Sequence, residues 1–248
     1  MQISHATESS PGQPNEDLVA AGPDWAVVFD GATPAPGVSS GCIHDVPWLV
    51  RRLAAALIAR LTLAGPAPLA PLLAAAIGEV RDAHADRCDL ENPDSPSSTV
   101  SVVRIRDSLE YLVLCDSPIL LRHPGGQLTQ LTDDRISRLP GGRPYRIELV
   151  REQRNRPGGF WVASTDPDAA YHAVCGTVSL DSVTDVALFT DAVTRLADWY
   201  GYSWHDVFAQ LRDAGPAGVI RVLRAAERAY PHPHAKQHDD ATAVHIRV

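Results

Sequence analysis

Acidic residues border predicted strands at five widely separated places in this 248-residue sequence. The clearest is Asp30, which ends the apolar run at residues 25–29 and is followed by Gly31. The others are Glu16 and Asp17, Asp116, Asp191, and Asp239 and Asp240. Carboxylates that converge in a fold repel one another unless cations neutralise them. Because oxygen ligands without His or Cys suit Mg²⁺ or Mn²⁺ better than Zn²⁺, the set predicts a divalent-cation site.

Each carboxylate also has a purely structural interpretation. An aspartate at the end of a strand is often a turn residue or a helix N-cap. The glycine after Asp30 fits a turn, but it equally lets the backbone carbonyl come close to a metal ion. The choice depends on whether the surrounding elements bring the carboxylates to one place.

The elements predicted around these residues form groups of strands separated by pairs of helices. Residues 46–61 and 70–87 have helical periodicity. Residues 97–106 and 109–116 predict a hairpin, and residues 118–134 predict two more short strands around a Pro-Gly-Gly turn.

The second half of the chain repeats this order. An apolar run and a helix lie within residues 185–201, two helices within 203–229, and a last strand follows Asp240. The polar segment 133–159 predicts a long functional or mobile loop. Because strands and helices do not alternate one by one, the pattern favours an α+β fold with antiparallel sheets.

Composition limits the classes of function. An apolar content of 45% is enough to bury a core, and we expect residues 1–248 to form a single domain. A net charge of −8 without a long basic run argues against a nucleic-acid or anionic-membrane partner. The start of the sequence does not resemble a signal peptide, and four dispersed cysteines suggest reduced thiols, so we expect a cytoplasmic protein.

Five short motifs, in order, resemble the metal-dependent protein phosphatases of type 2C, the PPM family. NEDLVAAGPDWAVVFDGAT is similar to the Glu-Asp and Asp-Gly motifs that open that family. SSTVSVVRI and LEYLVLCDSPILLRHPGGQLTQLTDD resemble its Gly-Thr-Thr strand, its Gly-Asp-Ser motif and the Leu-Thr-x-Asp-His that follows. VALFTDAV stands in the place of Ser-Asp-Gly, and DDATAVHIRV in the place of Asp-Asn-x-Thr and the last strand. The resemblance implies an α-β-β-α sandwich, with two antiparallel sheets face to face and helix pairs outside.

The resemblance also implies a role for each carboxylate. Asp30 would bridge two Mn²⁺ or Mg²⁺ ions, with Glu16 and the Gly31 carbonyl completing one ion's protein ligands. Asp191 and Asp239 would hold the other ion. Asp17 would orient water, and Asp116 with Asp191 would suit a third, weaker metal site. Two ions would activate a water for in-line attack on a phosphoserine, phosphothreonine or small phosphoester substrate, without a phosphoenzyme.

Several positions depart from the family pattern. The family commonly has a phosphate-binding arginine where this chain has Gly12, and Ala32 stands where some members have His. CDSP lacks the Gly and Arg of Gly-Asp-Ser-Arg, and Ala192 replaces the Gly of Ser-Asp-Gly. The metal ligands are therefore retained better than the substrate-binding groups. This leaves a second interpretation, a catalytically weak relative that binds phosphoproteins or partners as a regulatory module.

Three other patterns compete with this interpretation. Gly-Val-Ser-Ser-Gly at residues 37–41 fits a serine-hydrolase motif around Ser39, but the preceding Thr-Pro-Ala-Pro does not suit a central strand. His232, His234 and His238 are candidate transition-metal ligands in a segment that reads more simply as a polar linker. Arginines in the long loop are candidate replacements for the phosphate-binding arginine: Arg143, Arg146, Arg151, Arg154 and Arg156.

Overall fold

A computed structural model describes residues 1–35, 37–63, 65–142, 145–231 and 236–248. It contains ten strands: β1 Gln2–Glu8, β2 Leu18–Ala21, β3 Trp25–Ala32, β4 Ser97–Ile105, β5 Leu109–Leu114, β6 Ile119–Arg122, β7 Leu128–Leu131, β8 Val174–Val178, β9 Asp185–Phe189 and β10 Ala241–Arg247. Five α-helices accompany them: α1 Val46–Leu63, α2 Leu69–Asp82, α3 Ile147–Gln153, α4 Asp191–Asp198 and α5 Trp204–Ala229.

The strands form two antiparallel sheets of five. One sheet has the order β2-β3-β4-β5-β8, and the other has the order β1-β10-β9-β6-β7. Apolar side chains from both sheets, such as Val28, Val113, Leu188 and Val244, pack together in one buried cluster between them. The expected pair of facing antiparallel sheets is thus confirmed.

Helices cover the outer faces of the sandwich. Helices α1 and α2 pack on the first sheet through a cluster that includes Phe29, Leu53 and Leu73. Helices α4 and α5 pack on the second sheet through Phe189, Leu196 and Leu223. Burial of these apolar side chains on both outer faces makes an α-β-β-α arrangement, as the sequence predicted.

Most predicted elements are confirmed, with shifted ends. The hairpin of β4 and β5, the short pair β6 and β7, and the last strand lie where expected. The two helices expected within residues 203–229 are the two parts of α5, which breaks where Gly215 adopts φ 71° and Pro216 follows it. Strand β3 runs through Ala32, so Asp30 lies inside the strand rather than at its tip.

Three elements were missed. Strands β1 and β8 pair at the edges of their sheets, and helix α3 lies in the segment 133–159 that was expected to be a loop. Among the described residues, no helix is both long and apolar enough to cross a membrane.

Candidate metal centre

Asp30 and Gly31 form the base of the site on strand β3. Their partners on β4 are Thr99 and Ser98. A Cβ added to Gly31 would lie 2.5 Å from Val46 Cγ1 and 2.6 Å from the Glu16 carbonyl oxygen, so only glycine fits here. The strand therefore brings the backbone of residue 31 directly against the segment that carries Glu16.

Asp17 is the buried carboxylate of the site. The hydroxyls of Thr190 and Thr242 donate to its Oδ2 oxygen over 3.0 and 2.7 Å. Its other oxygen, Oδ1, is buried without a hydrogen-bond partner among the described residues. Burial, opposed by the two threonine hydroxyls, raises the pKa of Asp17 to about 8.

Asp30 lies among other carboxylates. Burial, followed by the charges of Asp17, Asp191 and Asp116, holds the pKa of Asp30 well above its usual value. The backbone N–H of Asp191, at the start of α4, donates to Asp30 Oδ2 over 3.1 Å. The first sheet supplies Asp30, and the second supplies the strand β9 that leads into Asp191. The fold thus brings the predicted carboxylates from both sheets to one end of the sandwich.

Asp116 follows a turn with an unusual backbone. Cys115 stands in the place of the family glycine and adopts φ 71°, a conformation that is costly for a residue with a Cβ. The buried carboxylate of Asp133 accepts a hydrogen bond from the Cys115 N–H at 3.1 Å and pairs with Arg135 at 2.6 Å. These contacts hold the turn that places Asp116 near Asp30.

Asp239 has a different environment. The guanidinium of Arg195, on α4, donates to its Oδ2 over 2.6 Å, and the ammonium of Lys236 donates to its Oδ1 over 2.5 Å. The adjacent Asp240 accepts the backbone N–H groups of Ser10 and Glu16, each at 2.6 Å. Asp239 is thus paired with two cations, while Asp240 fixes the backbone of Glu16.

The residues fit a divalent cation at the Asp30 end. Crowded oxygen donors, an unpartnered Asp17 Oδ1 and a close backbone at Gly31 are features that a hard cation would satisfy. No three or more His, Cys, Asp or Glu side chains in the described part of the chain are grouped tightly enough to hold an ion alone.

The competing candidates do not join this site. Ser39 lies in an exposed loop, where its hydroxyl accepts the Gly41 N–H at 3.4 Å, and among the described residues that precede it, 33–35 and 37–38, none is in a strand. His238 pairs with buried Glu227 at 2.7 Å, whereas His232 and His234 lie outside the described residues.

The loop arginines lie in a separate region. Arg151, Arg154 and Arg156 line a cavity of 280 Å³ whose lining contains none of the predicted metal ligands. Arg151 pairs with Asp94 at 2.6 Å, and Arg154 donates to the carbonyls of Pro93 and Ser95. Arg143 lies outside the described residues, and Arg146 precedes α3.

Sequence reasoning missed four residues that shape the site. Thr190 and Thr242 hold Asp17, while Arg195 and Lys236 pair with Asp239. Arg195 stands four residues after Asp191 on one helix, so one helical turn brings both to the same side. That spacing was the available signal.

The fold and site thus define an α-β-β-α sandwich with carboxylates from both sheets at one end. A family model described as protein phosphatase 2C matches residues 4–224. The chain therefore belongs to the protein phosphatase 2C family, as the motifs had indicated.

Solved structures show the same fold. The serine/threonine phosphatase PstP/Ppp of Mycobacterium tuberculosis is 17% identical with a TM-score of 0.65, covering 100% of this chain and 98% of that chain. The phosphatase Stp1 of Staphylococcus aureus is 12% identical with a TM-score of 0.67, covering 100% and 94%. The catalytic domain of PstP in complex with two manganese ions is 18% identical with a TM-score of 0.61, covering 98% and 96%. Among curated proteins, none matches the chain.

Proposed function

We propose that the chain is a Mn²⁺- or Mg²⁺-dependent phosphatase that hydrolyses phosphomonoesters, either phosphoserine and phosphothreonine in proteins or a small phosphoester. The observation that carries the proposal is that Asp30 is buried among Asp17, Asp191 and Asp116; burial first, and then their charges, raise the pKa of Asp30. Such crowding opposes folding unless a cation relieves it. Membership of the family and the manganese-bound PstP relative support the same conclusion.

The ligands proposed for the ions follow the family resemblance. Asp30, Glu16 and the Gly31 carbonyl are assigned to one ion, and Asp30, Asp191 and Asp239 to a second. Asp116, together with Asp191, is assigned to a third and weaker ion. When bound, the ions would supply an activated water and would neutralise the phosphoryl oxygens.

Asp17 positions that water from the protein side. Its Oδ1 oxygen is buried and free to accept a hydrogen bond, while two threonine hydroxyls fix Oδ2. An oxygen held in this way can accept a proton from a water lying between it and the substrate. Thr190 and Thr242 act only through Asp17 and are positioning residues.

Gly12 motivates a second candidate function, a catalytically weak module that binds phosphoproteins. Gly12 occupies the position where the family commonly has the phosphate-binding arginine. It is exposed, and apart from its chain neighbours no heavy atom of a described residue lies within 4 Å of where a Cβ would be. A protein that binds phosphopeptides with no measurable turnover would favour this candidate.

Hydrolysis of p-nitrophenyl phosphate by the purified protein tests the main proposal. Activity should require Mn²⁺, disappear with excess EDTA, and be lost in Asp191→Ala. This variant keeps the backbone N–H that donates to Asp30, so it removes only the carboxylate. Ser39→Ala is the control and should retain full activity. Full activity in Asp191→Ala would contradict the site assignment, and esterase activity that depends on Ser39 would favour a serine hydrolase.

A further inference from the structure

Both carboxylate oxygens of Asp239, a predicted metal ligand, are already paired with cationic side chains. Arg195 donates to Oδ2 over 2.6 Å and Lys236 donates to Oδ1 over 2.5 Å. An incoming ion must therefore displace at least one cation before it can use this carboxylate. The charges that act on Asp30 itself are those of other carboxylates, Asp17, Asp191 and Asp116.

The two cations differ in how easily they can leave. The Arg195 side chain is only 5% exposed, stacks on Trp199 at 4.7 Å and lies 3.8 Å from the buried carboxylate of Glu227. The Lys236 side chain is 55% exposed, and among the described residues its ion-pair partner is Asp239, with Asp240 and Glu16 acting on it only through their charges. A hydrated, flexible ammonium leaves such a pair far more readily than a buried, stacked guanidinium.

We propose that Lys236 and a second divalent cation compete for the Oδ1 oxygen of Asp239, so that the centre fills in two steps of unequal affinity. The inference rests on the proposed function, because it assumes that the Asp30 end binds the first ion. Arg195 stays in place and keeps Oδ2 of Asp239 oriented. Lys236 thus supplies the positive charge at Asp239 until the second ion arrives.

Counting bound Mn²⁺ gives the first test. The free Mn²⁺ signal in electron paramagnetic resonance should reveal one tight site and weaker sites; the weaker site that is lost in Asp239→Asn is the second site, and it should be at least about tenfold weaker than the first. Lys236→Met should reduce the ratio of the two affinities by about fivefold, because it removes the competing charge. Lys236→Arg keeps the charge and is the matched control, with a ratio close to wild type. Because residue 236 is exposed, these variants should fold, which circular dichroism would verify.

A second measurement follows the ammonium directly. Lys236 is the only lysine in the sequence, so reductive ¹³C-methylation labels just this side chain and the N-terminal amine. Methylation keeps the charge. In a Mg²⁺ titration the Lys236 resonance should move mainly with filling of the second site, and less with filling of the first, whose proposed ligand Glu16 also acts on the ammonium through its charge. The N-terminal resonance is the internal control.

The outcomes separate this inference from the proposed function. Two sites of equal affinity in the wild type, an unchanged ratio in Lys236→Met, or a stationary Lys236 resonance while the second ion binds would each overturn the competition. The proposed function would survive all three results. A folded wild-type protein that binds no Mn²⁺ would instead contradict the proposed function itself, and the competition with it.

Discussion

The candidate centre has two regions, one around Asp30 and one around Asp239, whose carboxylates lie in opposite electrostatic environments. Around Asp30, burial and neighbouring carboxylates raise its pKa. At Asp239, Arg195 and Lys236 neutralise the carboxylate from within the chain. The charges that act on Asp30 are therefore negative like its own, whereas the carboxylate of Asp239 already has neutralising cations beside it.

The difference predicts how a cation from solution would affect each region. Crowded carboxylates destabilise a fold unless they are protonated or bind a cation, whereas a paired carboxylate contributes to stability by itself. The Asp30 end is thus stabilised either by bound protons or by a cation from outside the chain. The Asp239 end is already satisfied, and an ion must compete for it.

The largest expected effect is the loss of function at the crowded end. Asp30→Asn should reduce phosphatase activity by about a hundredfold or more, because it removes the carboxylate assigned to both ions. Isothermal titration with Mn²⁺ should show that the tight site is lost. Lys236→Arg is the control, since it alters the other end while keeping the charge. If Asp30→Asn still bound Mn²⁺ tightly, Asp30 would not be a ligand of the tight site.

The same change at the two ends should alter stability in opposite directions. In EDTA, Asp239→Asn should lower the free energy of unfolding by about 2 kcal/mol, because it takes the carboxylate away from buried Arg195. Asp30→Asn should raise that free energy by about 1 kcal/mol, because it relieves repulsion while its amide oxygen still accepts the Asp191 N–H. Urea unfolding measures both. If both variants changed the free energy of unfolding in the same direction, the two regions would not differ in the way proposed.

The pH dependence of the free energy of unfolding of the metal-free protein tests the environment of the carboxylates near Asp30. Asp17 has its pKa raised from 3.8 to about 8, so the folded state holds this proton more tightly than the unfolded state. The resulting stabilisation is complete below the unfolded pKa and is lost as pH rises towards the folded pKa. The free energy of unfolding in EDTA should therefore fall by at least about 1 kcal/mol as pH rises from about 5 to about 8.

Two controls identify the source of that slope. Asp17→Asn cannot titrate at this position and should reduce the slope, while Asp30, whose pKa is also raised, keeps part of it. Saturating Mg²⁺ should reduce the slope as well, because the ion replaces the proton as the source of positive charge. A slope that is unchanged in Asp17→Asn would assign the pH dependence to other groups.

The sequence predicted the elements that carry apolar patterns. Helix α1 and strands β4 and β5 each bury regular apolar positions, which makes them recognisable. Strands β1 and β8 lie at sheet edges and are mostly exposed or half-buried, so they have no such pattern. Helix α3 buries only Leu149, which explains why a loop was predicted there.

The candidate site was predictable only in part, for a similar reason. Carboxylates in a recognisable order indicated Asp30 and its companions. The pairing of Asp239 with Arg195 depends on how α4 lies beside the segment before β10, forty-four residues away. No local pattern encodes such a contact, so the paired state of Asp239 was found only in the folded chain.

The smallest effects concern two places where the family has glycine and this chain does not. Cys115 has φ 71°, whereas Ala192 lies in the regular helix α4. Ala192→Gly should lower the free energy of unfolding by about 1 kcal/mol, because glycine loses more backbone entropy in a helix. At position 115 the order should reverse, with Cys115→Gly more stable than Cys115→Ala by about 1 kcal/mol, because glycine adopts positive φ without strain. The Ala variant is the proper reference, because both substitutions remove the buried sulfur of Cys115. If Ala were the better residue at both positions, the turn before Asp116 would carry no strain, and the carboxylate would be held there by Asp133 and Arg135 alone.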